Sequence, residues 1–263
     1  MAKRRLDTLL HERGLFTSRS RAAAAVIGGH VRLGPGGRRA EKPGELVGEH
    51  DRVTLDEAPA FVSRGGIKLA NALDELGLDP TGRRCLDVGA STGGFTDCLL
   101  ERGAAHVVAV DVAYGELAWR LRCDDRVTVL ERVNARSLEP SRLPYRARLI
   151  VIDVSFISLA KVLPAVLACA DERFDCLALV KPQFEVGRGR VGKGGVVRSP
   201  EQRRAVLVAV GAWARERGSS VLGYASSGLP GPAGNRESFV WIAESGRAGD
   251  VPELGAAARR AEP

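Results

Sequence analysis

Leu86-Asp87-Val88-Gly89-Ala90-Ser91-Thr92-Gly93-Gly94-Phe95-Thr96-Asp97-Cys98-Leu99-Leu100 is the stretch that decides the fold of this chain. A short apolar strand, Cys85 to Val88, runs into a glycine-rich turn and then into a helix. That order directs backbone N–H groups and a helix N-terminus at whatever occupies the turn. Glycine suits such a turn because a Cβ would hold a ligand away from the main chain. Asp87, at the strand end, is expected to aim a carboxylate into the same crevice. A carboxylate there repels a pyrophosphate and suits a cationic or hydroxyl-bearing ligand. S-adenosylmethionine, with its ammonium and sulfonium groups, has that chemistry. The expected cradle is Asp87 with Gly89, Ala90, Ser91, Thr92, Gly93, Gly94, Phe95 and Thr96.

Working outward, strand and helix patterns alternate. Strands are expected near 85–88, 107–111, 127–130, 149–153, 176–181, 220–225 and 238–243. Helices are expected near 67–76, 94–102, 114–122, 159–170 and 200–217, the last opened by Ser199 as N-cap, Pro200 and Gln202. This rhythm predicts an α/β fold with a mostly parallel, doubly wound sheet. From Arg247 onward the chain is Ala/Gly/Arg-rich without periodicity, and a frayed tail is expected over 247–263.

Three strand ends carry further charges. Asp111 closes Val107–Val110 about twenty residues after the glycine turn, placed either to accept ribose hydroxyls or to cap the next helix. Asn134, after the third strand, is a candidate for an adenine edge. Asp153 and Lys181 each end a buried-type apolar run, where an isolated charge is costly unless paired or functional. They can answer each other across neighbouring strands, as a structural ion pair or as part of a site. Gly187-Arg188-Gly189-Arg190-Val191-Gly192 matches G-x-G-x-x-G in letters but opens no helix. It reads as a basic loop, either closing over a polyanion or simply solvated.

The first sixty residues form a unit of their own. A helix from Arg5 is ended by Gly14, and a second, Ala22 to Ile27, is stopped by Gly28-Gly29. Short strands follow at His30–Leu33 and Asp51–Leu55, around the turn Gly34-Pro35-Gly36-Gly37. Residues 1–39 carry nine Lys/Arg against Asp7 and Glu12, a local +7 equal to the whole chain's excess. A polyanionic partner follows from that balance. Arg4, Arg5, Arg19 and Arg21 are the candidate phosphate contacts. The joint is expected at Glu57-Ala58-Pro59-Ala60, stiffened by Pro59.

Composition removes other classes. The five cysteines form no C-x-x-C pair, and with no secretory signal they read as reduced thiols in a cytoplasmic protein. Four scattered histidines share no ligand spacing, so no metal site is expected. The longest apolar stretch, Leu149 to Ala170, is interrupted by Asp153, Lys161 and Pro164, which argues against a membrane span.

Four segments together carry a family resemblance: Ser63-Arg64-Gly65-Gly66-Ile67-Lys68-Leu69, the Asp87–Thr96 turn, Val180-Lys181-Pro182-Gln183-Phe184-Glu185 and Gly234-Asn235-Arg236-Glu237. Residues 61–245 resemble FtsJ-like ribose 2′-O-methyltransferases. Arg5-Leu6-Asp7, Ser18-Arg19, His30-Val31-Arg32-Leu33, Lys42-Pro43 and Asp51-Arg52-Val53 resemble an S4 RNA-binding domain. The whole is similar to the TlyA (hemolysin-A-like) family of rRNA 2′-O-methyltransferases. The resemblance implies a Rossmann-like class I methyltransferase domain over 63–246, an α+β S4-like domain over 1–58 and a linker over 59–62. It implies S-adenosylmethionine as cofactor and cytidine 2′-O-methylation of 16S and 23S rRNA within ribosomal subunits. The family's Lys-Asp-Lys-Glu set falls on Lys68, Asp153, Lys181 and Glu237, with Ser63 and Arg64 touching RNA or coupling the domains. Lys181 is either the base or an electrostatic partner. Rival readings are an RNA-binding assembly factor without catalysis, a base methyltransferase and a membrane-lytic protein.

Overall fold

The computed structural model describes residues 3–27, 29–56, 60–187 and 191–262, and divides the chain into two units, Met1–Pro59 and Ala60–Pro263. Gly28, Pro59 and the Arg188-Gly189-Arg190 core of the basic loop lie outside the described residues.

In the first unit β1 (Lys3–Arg5) leads into α1 (Leu6–Glu12) and α2 (Arg19–Ile27). These are followed by β2 (Val31–Leu33), β3 (Arg38–Arg39), β4 (Leu46–Gly48) and β5 (Val53–Leu55). β1 pairs antiparallel with β4, and β2 is the centre of an antiparallel β3-β2-β5 sheet. Leu6, Leu9 and Leu10 share one face of α1 and meet Ala22 and Val26 of α2 over Val31, Leu33 and Val47. The β1–β4 pair has no signature in the sequence, because Lys3-Arg4-Arg5 is exposed and offers no apolar alternation.

The second unit opens with α3 (Arg64–Leu76), β6 (Arg84–Val88), α4 (Gly94–Glu101), β7 (His106–Val110), α5 (Trp119–Arg122) and β8 (Val127–Leu130). It continues with β9 (Ala147–Ile152), α6 (Leu163–Leu167), β10 (Ala170–Val180) and α7 (Pro182–Glu185). α8 (Pro200–Glu216), β11 (Ser220–Ser226), β12 (Ser238–Ala243) and α9 (Leu254–Ala261) complete it. The sheet order is β11-β12-β10-β9-β6-β7-β8. All neighbours run parallel except β12, which is antiparallel to both β10 and β11. Strand order reverses between β6 and β9, so ligands are expected outside the carboxyl ends of those two strands. Apolar side chains alternate to both faces. Leu86, Val88, Ile150 and Ile152 pack on one side, and Cys85, Leu149 and Val151 on the other.

Several expected boundaries move. Helix 114–122 shrinks to α5, since Gly115 adopts a positive φ of 77° and the chain runs irregularly to Ala118. The expected helix 159–170 splits into a 3₁₀ turn over Leu159–Lys161 and α6, where Pro164 fits only a first turn. β10 starts at Ala170 rather than 176, with an irregularity between Ala170 and Asp175. The N-cap at Ser199 is as expected, its Oγ accepting the Gln202 N–H at 3.2 Å.

The expected tail over 247–263 is corrected: through Glu262 it is ordered. α9 buries Ala257, Ala258 and Ala261 against α8 and β11, and Glu262 gives a carboxylate to buried Arg203 at 2.6 Å. Alanines allow close helix contact without large apolar residues, which is why no periodic signal announced the helix.

Candidate active site

At the end of β6 the backbone turns through Gly89 and Gly93, both with positive φ (87° and 97°), and through Ser91 at 46°. A Cβ on Gly89 would overlap the Asp153 carbonyl oxygen, and one on Gly94 the Ser63 Oγ. The turn therefore lies directly against the end of β9 and the start of α3, a closeness only glycine permits.

Two cavities open on this turn. The first, about 460 Å³, is lined by Asp111, Asn134, Gly89, Ser91 and Asp153 with apolar walls from Val112, Val133, Val154 and Ile157. The second, about 400 Å³, is lined by Lys68, Asp153, Lys181, Glu237, the turn residues Gly89–Thr92, Gly94 and Phe95, and Ser63 and Arg64. Gly89, Ser91 and Asp153 belong to both, so the two spaces meet at the glycine turn.

The four charged residues form two ion pairs around the second cavity. Lys68 Nζ, on α3, stands 2.5 Å from Glu237 Oε2, which precedes β12; both side chains are buried. Lys181 Nζ stands 2.5 Å from Asp153 Oδ1 and donates to Ser155 Oγ at 2.9 Å. Lys181 and Asp153 directly follow β10 and β9, which are parallel neighbours, so strand pairing brings them together.

Asp87 is corrected. Its carboxylate is fully buried beneath the turn and lines neither cavity. Thr96 Oγ1 donates to Oδ2 at 2.7 Å, while Oδ1 has no hydrogen-bond partner. Burial pushes this carboxyl up to about 7 against the opposing Thr96 hydrogen bond, and nearby Asp153 pushes in the same direction. Asp87 thus acts on the turn from below, through Thr96 at the start of α4. Gly93 likewise lines neither cavity and serves as the left-handed N-cap of α4.

Asp111 lines the first cavity and accepts the Ser91 N–H (2.7 Å) and the Ala113 N–H (2.7 Å). Each carboxylate oxygen retains lone-pair capacity for a hydroxyl. Asn134 is beside it, its Oδ1 accepting the Arg136 N–H at 3.0 Å. Arg64 donates to the Pro230 carbonyl at 2.9 Å at the rim of the second cavity. In the N-terminal unit Arg4 pairs with Glu12 at 2.5 Å, and Arg5 and Arg19 converge on buried Asp7 at 2.7 and 3.6 Å. Arg5 and Thr8 hold the Asp7 carboxyl down at about 2 despite its burial. Arg21 forms no ion pair among the described residues.

Three residues escaped the sequence reading. Ser155 steadies Lys181 and sits three positions past the end of β9, where only the fold reveals it. Buried Asn235 accepts the Val197 N–H (2.9 Å) and donates to the Gly195 carbonyl (2.8 Å), fastening that loop beside Glu237. Asp97 accepts the Val62 N–H (2.7 Å) and pairs with Arg120, tying the entry of α3 to α4.

The donor set fits S-adenosylmethionine: a carboxylate and an amide beside apolar walls for a nucleoside, and a glycine turn leading to a paired-charge cavity for the reacting end. Among the described residues no cluster of His, Cys, Asp or Glu fits a metal ion.

Over 245 residues the chain is 52% identical to the Mycobacterium tuberculosis protein named 16S/23S rRNA (cytidine-2′-O)-methyltransferase TlyA, covering 92% of this chain and 91% of the relative. It is 38% identical over 204 residues to Hemolysin A of Brachyspira hyodysenteriae (77% of this chain, 84% of the relative). A solved structure from Streptococcus thermophilus superposes with a TM-score of 0.74 at 40% identity, over 99% of this chain and 96% of that one. Residues 4–53 match the S4 domain. Residues 61–244 match the FtsJ-like methyltransferase family, and the chain belongs to that family.

Proposed function

We propose that this chain transfers the methyl group of S-adenosylmethionine to the ribose 2′-hydroxyl of cytidine in 16S and 23S rRNA, acting on ribosomal subunits in the cytoplasm. The observation that carries the reading is the pairing of Lys68 with Glu237 and of Lys181 with Asp153 around one cavity that meets the nucleoside-shaped cavity at the glycine turn.

S-adenosylmethionine supplies, when bound, an electrophilic methyl carbon on a sulfonium. Asp111 and Asn134 would hold its nucleoside, and Gly89–Thr92 would hold its methionine end. A ribose hydroxyl is a poor nucleophile, so its proton must leave as the new bond forms. Lys181 Nζ must enter this step as the neutral amine, its own proton given up to solvent; it then takes the hydroxyl proton and becomes the ammonium paired with Asp153 and oriented by Ser155. Lys68, held by Glu237, presents positive charge to the oxygen as negative charge develops there. The S4-matching unit grips rRNA through phosphates and shape, with Arg4, Arg5, Arg19 and Arg21 as the basic groups and Ser63 and Arg64 at the cavity rim.

The test is transfer of tritiated methyl to each ribosomal subunit, followed by alkaline hydrolysis. Alkali-resistant dinucleotides containing cytidine are expected, because only ribose methylation blocks cleavage; label released in mononucleotides would mean a base is modified instead. The name of the Brachyspira relative motivates one other reading, membrane lysis. No helix among the described residues is long and apolar enough to cross a membrane. Leakage of dye-loaded liposomes at stoichiometric protein would support it.

A further inference from the structure

Beside the paired-charge cavity lies a third cavity of about 580 Å³, between the β11–β12 connection and the C-terminal helix α9. Pro230 and Glu237 line both, so the third cavity borders the second. Its cationic groups are Arg236 and Arg260, both exposed. Its carboxylates are already answered: Glu237 by Lys68 at 2.5 Å and Glu262 by buried Arg203 at 2.6 Å. Arg236 approaches Glu262 only to 3.8 Å, and Arg260 forms no ion pair among the described residues. Counting Lys68, Arg203, Arg236 and Arg260 against Glu237 and Glu262 leaves two positive charges, both on the open side of the groove.

A ribose presented to Lys181 arrives within a strand. Its neighbouring phosphates must leave the second cavity in two directions. Ser63 and Arg64 line the second cavity on one side, and Pro230 and Glu237 border it on the side of the α9 groove. We propose that this groove is an RNA-backbone subsite, in which Arg236 and Arg260 hold a phosphate flanking the target nucleotide and the C-terminal helix forms the wall. The assignment rests on the reading that a ribose enters the paired-charge cavity. Guanidinium groups suit this task because they meet phosphate oxygens through two parallel N–H donors. The tail expected to fray thereby becomes part of the substrate surface, which explains why a short alanine helix is held so firmly by Arg203.

The test is Arg260→Glu and Arg260→Lys in the full chain, titrated against unmethylated ribosomal subunits over a range of salt, with methyl transfer by the unaltered protein on the same subunits as reference. Arg260→Glu is expected to weaken subunit binding about tenfold and to lower the log–log salt slope by about one. Thermal midpoint and S-adenosylmethionine affinity should not change, and Arg260→Lys should keep most of the affinity. Unchanged affinity and slope in Arg260→Glu, with transfer by the unaltered protein intact, overturn the groove and spare the methyltransferase reading. Weakened binding in Arg260→Glu with no transfer by the unaltered protein would leave the groove standing and remove the proposed reaction.

Discussion

Lys68 Nζ and Glu237 Oε2 meet at 2.5 Å across 169 residues of sequence, and the Glu237 side chain is 1% exposed. A buried pair of this kind contributes little net stability, yet breaking it is costly because one charge is left without a partner. Glu237→Ala is therefore expected to destabilise the protein by about 3–5 kcal/mol. Lys68→Met combined with Glu237→Leu should regain much of that loss and remain inactive. Urea unfolding of both single variants and the double variant gives the coupling; a double variant no more stable than either single one would show that the pair is not energetically linked.

The second pair makes a different prediction, because Lys181 lines the second cavity rather than the core. Lys181→Ala should reduce methyl transfer by at least about 10²-fold, the usual contribution of a positioned proton acceptor. S-adenosylmethionine affinity, read by calorimetry, should stay nearly intact, since Asp111, Asn134 and the glycine turn are untouched. Ser155→Ala should lower turnover less. Turnover near the unaltered rate in Lys181→Ala would remove this lysine from the mechanism.

Much of this site was legible in the sequence because its parts are local. A strand ending in glycine announces a βα turn, and apolar runs ending in Asp153 and Lys181 announce strand ends at a crevice. What escaped depends on distant contacts. Asp87 looks ligand-facing by position, but the pleat turns its side chain under Thr96, and sequence spacing carries no information about that. Asn235 was visible only as a letter in a motif; its bonds to Gly195 and Val197 join segments about 40 residues apart. The helix at Leu254–Ala261 failed the periodicity test because its buried face is alanine, whose burial depends on close packing rather than on side-chain size.

Buried Asp87 gives the fold a pH dependence of definite sign. Its folded-state value is about 7, and an unfolded aspartate titrates near pH 3.9. Below that lower value the contribution to stability is complete. As pH rises the unfolded chain ionises while the folded one does not, so stability is lost until the folded carboxyl also ionises near neutrality. Three pH units correspond to roughly 4 kcal/mol over the whole window. Asp87→Asn should flatten this slope between pH 5 and pH 8 in urea titrations. Parallel pH profiles for the two proteins would show that Asp87 does not titrate in this range.

In the N-terminal unit the arginines differ in how free they are to meet a phosphate. Arg4, Arg5 and Arg19 face carboxylates, whereas Arg21 faces none among the described residues. Removing all four charges should weaken rRNA binding and flatten its salt dependence, with each lost phosphate contact lowering the slope by about one. Arg21→Ala alone should lower the slope more than Arg4→Ala, since Arg4 gives up Glu12 when it binds. An unchanged slope in the fourfold variant would place the RNA surface of this unit elsewhere.

Arg203 makes the strongest case that the C-terminal helix is structural as well as substrate-facing. Its guanidinium is buried, donating to the Val197 and Arg198 carbonyls at 3.2 and 2.6 Å and to Glu262 at 2.6 Å. One side chain thus gathers α8, the loop fastened by Asn235 and the chain end. Glu262→Ala removes the carboxylate that pairs with Arg203, and an uncompensated buried charge costs about 3–5 kcal/mol. For a domain of this size that corresponds to a fall in thermal midpoint on the order of 10 °C. Glu262→Gln keeps an acceptor but not the charge and should fall between the two. Arg203→Met together with Glu262→Leu should restore most of the midpoint, because no charge then remains to be buried. Calorimetric scans of the four proteins decide the matter: if Glu262→Ala melts with the unaltered chain, the pair does not hold the helix, and α9 must be retained by its alanine face alone.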